Sequence, residues 1–255
     1  MIPAPAGVLP IDKPLGWTSH DVVAVVRSVV GIRRVGHGGT LDPLATGLLP
    51  ILIGTATKFA DRLHTAPKVY AALLRFGHET TTDDREGAPT REAPAPAIDA
   101  NAMDAALASF RGRITQIPPD YAAVKVGGRP AYARARAGET VTLTARAITI
   151  HRLAVGRWTG TDLELLIVCS TGTYVRSLAR DIGRAVGSAA HLAALRRLAV
   201  GALEAQDAIG IGSLRAGDAA AAIGRILPAD DRLLGLAARY ADDPVDGLLG
   251  GRGAA

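Results

Sequence analysis

A single carboxylate, that of Asp42, lies in a loop of glycines and small residues with the sequence GHGGTLDPLATG, residues 36–47. Pro43 disfavours helical backbone at Asp42, so we expect the carboxylate to be held in a rigid turn. An aspartate in such a loop commonly hydrogen-bonds its own turn. A partnered carboxylate could instead act as a nucleophile or stabilise a developing positive charge. The loop lacks the Lys-Ser/Thr ending of a nucleotide-phosphate loop, and the chain has no dinucleotide-binding glycine fingerprint.

Arg176 is a candidate partner for that carboxylate. The segment from Thr173 onward predicts a helix through Val186, which places Arg176 about three residues inside the helix N-terminus. A cation there faces the positive end of the helix dipole, at a cost of about 0.3 to 1 kcal/mol when exposed. A carboxylate partner would offset this cost, and the arginine would keep that carboxylate ionised and fixed in direction. The alternative is an ordinary surface arginine.

Three further side chains could take part in such chemistry. Tyr70 lies in the predicted strand 68–76, on a face that it shares with apolar residues, so it is either a core aromatic or a proton acceptor in a dry cleft. His37, inside the glycine loop, could stack or hydrogen-bond, or could simply stabilise the turn. Lys13, in the segment IDKPLGWTS, precedes a proline and could face either a phosphate or solvent.

Positive charge is concentrated in one segment of the chain. The formal net charge is +5, and residues 111–136 carry six basic side chains against the single acidic Asp120. The six are Arg111, Arg113, Lys125, Arg129, Arg134 and Arg136. Two adjacent glycines at 127–128, between two short extended runs, predict a hairpin that presents these side chains. A charge run is commonly just a solvated face, but Tyr121 and Tyr132 in the same segment favour a surface that meets nucleic acid.

The remaining pattern predicts strands mixed with helices. Ser19 is expected to cap a valine-rich helix that Gly31 ends, and Asp99 is expected to cap another helix. Lys58 falls in a predicted short helix. The other expected elements are strands at 68–76, 146–155 and 162–169, a helix at about 189–198, and a polar surface loop at 78–97. This mixture indicates an α+β fold (an α/β mixed sheet) rather than a helical bundle.

Composition excludes several classes of protein. Cys169 is the only cysteine, which excludes an internal disulfide and a cysteine-based zinc site. The six histidines show no HxxxH or HxH spacing, so we expect no metal. No apolar run suits a membrane span or a signal peptide, so we expect a cytoplasmic protein without membrane contact.

Taken together, these segments resemble one family, the bacterial tRNA pseudouridine synthases of the TruB type. The matching motifs occur in the family's order between about residue 8 and residue 233. They are DKPLGWTSHDVV (12–23), GHGGTLDPLATGLLPI (36–51), KVYAALLRFG (68–77), QIPPDYAAVKVGGRPAYARARAGE (116–139), CSTGTYVRSLARDIG (169–183), LRRLAVG (195–201) and ILPADDRL (226–233).

The resemblance implies that uridine 55 in the T-loop of tRNA is isomerised to pseudouridine, without a cofactor. It implies that Asp42 is the catalytic aspartate, that Tyr70 packs on the target base and removes its C5 proton, and that Arg176 pairs with Asp42. It also implies a pseudouridine synthase fold, with a central, largely antiparallel sheet flanked by helices and a basic RNA-clamping insertion at 111–140. We expect further substrate contacts from His37, Lys13, Tyr174, Lys58, Arg129 and Arg134.

We expect one catalytic domain over residues 1–231, followed by a tail at 232–255 that is too short for the extra RNA-binding (PUA) domain of many relatives. The expected partner is the T-arm of tRNA, bound by a monomer. The main alternative is a non-catalytic tRNA-binding or folding module on the same scaffold. Such a module could lose Asp42 or Arg176, and both are present. A small glycosidase or a phosphate-binding hydrolase using the glycine loop is a further alternative, but a glycosidase would need a second carboxylate.

Overall fold

The computed structural model describes residues 5–122, 124–131, 134, 137, 139, 142–217, 219–236 and 240. The chain forms two compact units. The first comprises Met1–Ala71 and Leu195–Pro244, and the second comprises Ala72–Ala194 and Val245–Ala255. Each unit contains both strands and helices, which confirms the predicted α+β class.

The elements are numbered in chain order. The strands are β1 (Gly7–Lys13), β2 (Val35–His37), β3 (Ala45–Ile53), β4 (Lys68–Phe76), β5 (His78–Thr80), β6 (Pro89–Glu92), β7 (Gly112–Gln116), β8 (Lys125–Val126), β9 (Arg129–Pro130), β10 (Arg146–Trp158), β11 (Asp162–Cys169), β12 (Ala190–Val200), β13 (Leu203–Glu204) and β14 (Ile209–Gly210). The helices are α1 (Ser19–Val30), α2 (Ala60–Thr65), α3 (Ala100–Ala106), α4 (Val175–Ala185), α5 (Ile211–Ala216) and α6 (Ala219–Ile223). Short 3-10 turns lie at Gly54–Phe59, Leu107–Phe110, Ala205–Asp207 and Asp231–Leu233.

The sheet of the first unit is built around β1 and β3. These strands pair antiparallel along their length, ending with Lys13 opposite Gly47. Strand β14 adds parallel to β1, β2 adds antiparallel to β3, and the second half of β12 adds parallel to β3. Nearly all of β3 is buried, as expected for its apolar run. Because β2 ends and β3 begins on either side of residues 38–44, this pairing fixes both ends of the Asp42 loop.

Helix α1 packs its buried valines against this sheet. Thr18 caps it, because the Thr18 hydroxyl accepts from the Asp21 N–H at 3.1 Å while the Asp21 carboxylate accepts from the Thr18 N–H at 2.8 Å. Gly31, with φ of 68°, ends the helix in the left-handed conformation that glycine adopts without strain. The prediction of Ser19 as the cap is wrong by one residue, because the Ser19 hydroxyl bonds the backbone of Leu41 instead.

In the second unit, β10 pairs antiparallel with both β11 and β7, and β4 lies on the other side of β11. Helix α3 begins after Asp99, whose carboxylate accepts from the Ala102 N–H at 2.8 Å, so this predicted cap is confirmed. Strands β8 and β9 form the hairpin predicted around Gly127 and Gly128. Helix α4 begins at Val175, close to the predicted start.

Two predicted elements are wrong. The helix predicted at about 189–198 is strand β12, because pairing with β3 and β13 satisfies its backbone and overrides the helix preference of its alanines and leucines. The surface loop predicted at 78–97 contains the antiparallel pair β5 and β6. Of the predicted tail, only 232–236 and 240 lie among the described residues. None of the described helices is long and apolar enough to span a membrane.

Candidate active site

Hydrogen bonds fasten the backbone on both sides of Asp42, which is itself half-buried. The carbonyl of Pro43 accepts from the Gly16 N–H at 2.9 Å. On the other side, the Leu41 N–H donates to the Ser19 hydroxyl at 2.9 Å, and that hydroxyl donates back to the Leu41 carbonyl at 3.1 Å. The carboxylate therefore extends from a backbone whose position is set by the segment before and inside α1, in agreement with the predicted rigid turn.

Lys13 places a buried ammonium group beside this loop. Its side chain has 0% exposure, and Nζ donates to the carbonyls of Pro14 at 2.9 Å, Trp17 at 2.7 Å and Pro43 at 3.4 Å. Burial lowers the pKa of Lys13 from 10.5 to about 8, although the nearby Asp42 carboxylate acts to raise it. The interpretation of Lys13 as a solvent-facing side chain is therefore wrong. Its ammonium group holds the Asp42 loop through Pro43.

Arg197, in the second half of β12, holds the same loop from another direction, and sequence reasoning missed it. Its side chain is only 1% exposed. Nε donates to the Leu48 carbonyl at 2.7 Å, Nη1 to Thr40 at 3.2 Å and Nη2 to Gly39 at 3.0 Å. The sequence does carry a signal, which is an arginine inside the apolar run LRRLAV. Such a run is expected to be buried, and an arginine is almost never fully buried without partners.

Three predicted site residues of the first unit keep some exposure. His37 ends β2 and is half-buried, with its ring edge-on to that of His20 at 5.7 Å between centroids. Burial lowers the pKa of His37, which favours the neutral form of its ring. Tyr70, in β4, is half-buried, and Lys58 is exposed in the 3-10 turn Gly54–Phe59. Tyr70 is therefore more accessible than an ordinary core aromatic.

Arg176 lies in the first turn of α4 and is 6% exposed, so it is not an ordinary surface arginine. Nη1 donates to the Thr82 carbonyl and Nη2 to the Tyr121 carbonyl, each at 3.1 Å. A carboxylate oxygen of Asp84 lies 3.8 Å from Nη1. The expectation that the misplaced cation has a carboxylate partner is thus met inside the second unit, by a residue that the sequence analysis did not single out. The pairing of Arg176 with Asp42 stays a prediction.

Asp83, next to that partner, is the one non-glycine residue with positive φ among the described residues, at 58°. Its carboxylate accepts from Arg180 Nη1 at 2.8 Å. Burial raises the pKa of Asp83 to about 6, even though Arg180 acts to lower it. The turn at 82–84 therefore presents two carboxylates to two arginines of α4, and this charge network holds the start of that helix.

Tyr174 stands immediately before α4 and is half-buried. The side-chain amide of Gln116 bonds both its N–H, at 2.8 Å, and its carbonyl, at 3.0 Å. The guanidinium group of Arg146 lies over its ring, 5.1 Å from the centroid. The backbone of Tyr174 is thus fixed by β7, and its ring has a cationic neighbour.

The basic insertion is less unbalanced than its sequence suggests. Arg129 is exposed at the β8–β9 hairpin, and Arg129 Nη1 lies 3.2 Å from the Glu139 carboxylate. Arg134 Nε lies 2.6 Å from the same carboxylate. We call Arg129 and Arg134 the insertion arginines. Glu139 lies just beyond the basic segment 111–136, and its carboxylate partly neutralises the charge of both insertion arginines. Tyr132 and Arg136 lie outside the described residues.

Among the described residues, no group of three histidine, cysteine, aspartate or glutamate side chains is arranged to hold a metal ion.

Two solved structures of protein complexes contain a chain with a similar fold. The chain matches a protein in an H/ACA RNP bound to a substrate RNA containing 2'-deoxyuridine, with 28% identity and a TM-score of 0.59, over 81% of this chain and 51% of that one. It also matches a Cbf5–Nop10–Gar1 complex, with 26% identity and a TM-score of 0.66, over 88% of this chain and 60% of that one. The chain therefore spans between about half and three fifths of those solved chains.

Comparison of the sequence with known families and relatives gives the class of protein and the family. Residues 27–175 match the TruB family pseudouridylate synthase N-terminal domain, and residues 176–233 match the tRNA pseudouridylate synthase B C-terminal domain. The fold and the matched sequence are thus those of a pseudouridine synthase. Proteins named tRNA pseudouridine synthase B are 48% identical in Thermobifida fusca (82% of this chain, 74% of the relative) and 49% identical in Mycobacterium tuberculosis H37Rv (79% and 69%). The chain belongs to the TruB family.

Proposed function

We propose that this chain isomerises uridine 55 in the T-loop of tRNA to pseudouridine, with Asp42 as the carboxylate that acts on the target nucleotide. The observation that carries the proposal is the Asp42 loop, half-buried and held by two buried cations, in a chain that matches the TruB family over residues 27–233. In this proposal the chain acts in the cytoplasm as a monomer, without a metal or a cofactor.

The chemistry follows from what the reaction must do. Breaking the bond between uracil N1 and the ribose C1' builds positive charge on the sugar, which a nearby carboxylate stabilises or traps. The detached uracil, which keeps the electron pair of the broken bond at N1, turns and rejoins C1' through C5; C5 then loses a proton and N1 takes one up. A second carboxylate that activates water is unnecessary, because the base itself is the acceptor. Tyr70, only half-buried in β4, is the proposed acceptor of the C5 proton.

The positive groups have two proposed tasks. In the proposal Arg176 pairs with the Asp42 carboxylate, as the family resemblance implies. The target base must leave the stack, at a cost of a few kcal/mol, and contacts to phosphates and bases offset that cost. We assign these contacts to the exposed Lys58, to the insertion arginines, and to the partly accessible rings of His37 and Tyr174.

A transcript of a tRNA that contains uridine 55 tests the proposal. The protein should convert that one uridine, and a matched transcript with cytidine at position 55 should give no product. A stem-loop of the T-arm alone should also be converted, because the fold of the loop is the recognised feature. Product at another position, or no product from either RNA under conditions where the protein is folded, would overturn the proposal.

A further inference from the structure

We propose that Arg197 is a positioning residue for the reaction, which fixes the Asp42 loop and supplies part of the positive field around its carboxylate. The inference deepens the proposed function and rests on it. Arg197 lies more than 150 positions from Asp42 along the chain, yet its guanidinium group bonds the segments before and after that residue.

The hydrogen bonds of Arg197 lie on both sides of Asp42. Gly39 and Thr40 precede Asp42, Leu48 follows it, and all three carbonyls accept from the one guanidinium group at 2.7–3.2 Å. The guanidinium group is planar, so its donors have fixed relative directions. It therefore sets the distance between the loop before Asp42 and strand β3 after it, which an ammonium group with its single nitrogen cannot do in the same way.

The main chain of Arg197 adds a second constraint. Arg197 stands opposite Gly47 in the parallel pairing of β12 with β3. Gly47 has φ of 96°, and a Cβ built there would lie 2.3 Å from the Arg197 carbonyl oxygen. The start of β3, just after the Asp42 loop, thus packs directly against the backbone that carries the guanidinium group, so a shift of one would move the other.

Arg197 lacks the carboxylate partner that a buried arginine ordinarily has, as far as the described residues show. No carboxylate of the described residues forms an ion pair with it, and all three of its acceptors are neutral carbonyls. A buried cation without its own counter-ion is costly for folding. The adjacent Arg196 shows the ordinary arrangement, since both terminal nitrogens bond the Asp12 carboxylate, at 2.8 and 3.0 Å.

The positive charge of Arg197 adds to the electrostatic field near Asp42. The positive charge of Arg197 acts to lower the pKa of Lys13, whereas Asp42 acts to raise it, so both charges lie within electrostatic reach of the Lys13 ammonium group. Two buried cations therefore surround a loop with one carboxylate. Their hydrogen bonds hold the backbone from which the carboxylate extends, and their charges add to the positive field that the proposed chemistry needs beside it.

The test compares Arg197→Lys and Arg197→Gln with Arg196→Lys, a matched change at the neighbouring position. Lysine keeps the charge but loses the planar fork, and glutamine keeps an amide donor without charge. We expect kcat on a tRNA transcript to fall by about tenfold or more in both Arg197 variants, and further in Arg197→Gln, because a small displacement of a reacting group is costly. The KM and the Kd for RNA should stay within about twofold, and Arg196→Lys should keep kcat.

The activities are measured well below the melting temperature of each variant, so that folding and catalysis are separated. A folded Arg197→Lys protein with the kcat of the unchanged protein would overturn the inference. The inference would also be overturned if both Arg197 variants lost only melting temperature or yield of folded protein and kept their kcat. If the unchanged protein makes no pseudouridine, the proposed function itself has failed, which is a different result from an active protein that tolerates the Arg197 variants.

Discussion

The buried ammonium group of Lys13 predicts that stability and activity respond in opposite directions to alkaline pH. Burial lowers the pKa of Lys13 from 10.5 to about 8 in the folded chain. Between these two values the unfolded chain still binds the proton that the folded chain has released, so the free energy of unfolding rises with pH in that window. From pH 7 to pH 9.5 the gain from this one group is about 2 kcal/mol.

Activity should fall over the same range. A neutral amine has one donor fewer for the carbonyls of Pro14, Trp17 and Pro43, and it no longer places a positive charge near Asp42. We therefore expect kcat to decrease with an apparent pKa of about 8.

Urea unfolding of the unchanged protein and of Lys13→Met at several pH values from 7 to 9.5 measures the stability effect. The difference in free energy of unfolding between the two proteins isolates Lys13, because all other groups titrate in both. Lys58→Met, at an exposed lysine of the same unit, is the control and should show no such difference. Parallel pH dependences for the unchanged protein and Lys13→Met would refute the reasoning.

Three further predictions concern the loop, the insertion and helix α1. Gly47→Ala should lower the free energy of unfolding by more than about 2 kcal/mol in urea titrations, because φ is 96° and the new Cβ meets the Arg197 carbonyl; unchanged stability would contradict the packing described. Glu139→Gln should release the insertion arginines, so RNA should bind more tightly and the dependence of log K on log salt should steepen by about one to two. Weaker binding by that variant would exclude their contact with phosphates. Thr18→Ala should cost about 1 kcal/mol of stability through loss of the helix cap, and a neutral effect would contradict the capping box.

Local signals predicted many elements well. The strand at 68–76 has the bounds of β4, because its apolar run is flanked by a proline and a glycine. Asp99 caps α3, and the paired glycines at 127–128 form the turn of a hairpin, since both features depend on residues close together in the sequence. The choice of Thr18 over Ser19 as cap of α1 was missed because two neighbouring hydroxyls carry the same local signal.

Features that depend on distant residues were not predictable in this way. Strand β12 has a composition that suits a helix, and its pairing with β3 is set by a segment about 150 positions earlier. The burial of Arg197 follows from that pairing, since its acceptors at 39, 40 and 48 come near only when the sheet forms. Asp84 likewise reaches Arg176 through the fold of the turn at 82–84, and the sequence alone indicated only that this arginine needs a partner.

The most direct test of the account is the activity of Asp42→Asn on a tRNA transcript, measured together with its affinity for that RNA. Asparagine keeps the size of the side chain and the fixed turn but has no negative charge. We expect the unchanged protein to form pseudouridine at position 55. Asp42→Asn should bind the RNA within about twofold of it but form no pseudouridine, because the carboxylate is the reacting group. Undiminished pseudouridine formation by Asp42→Asn would contradict the central claim.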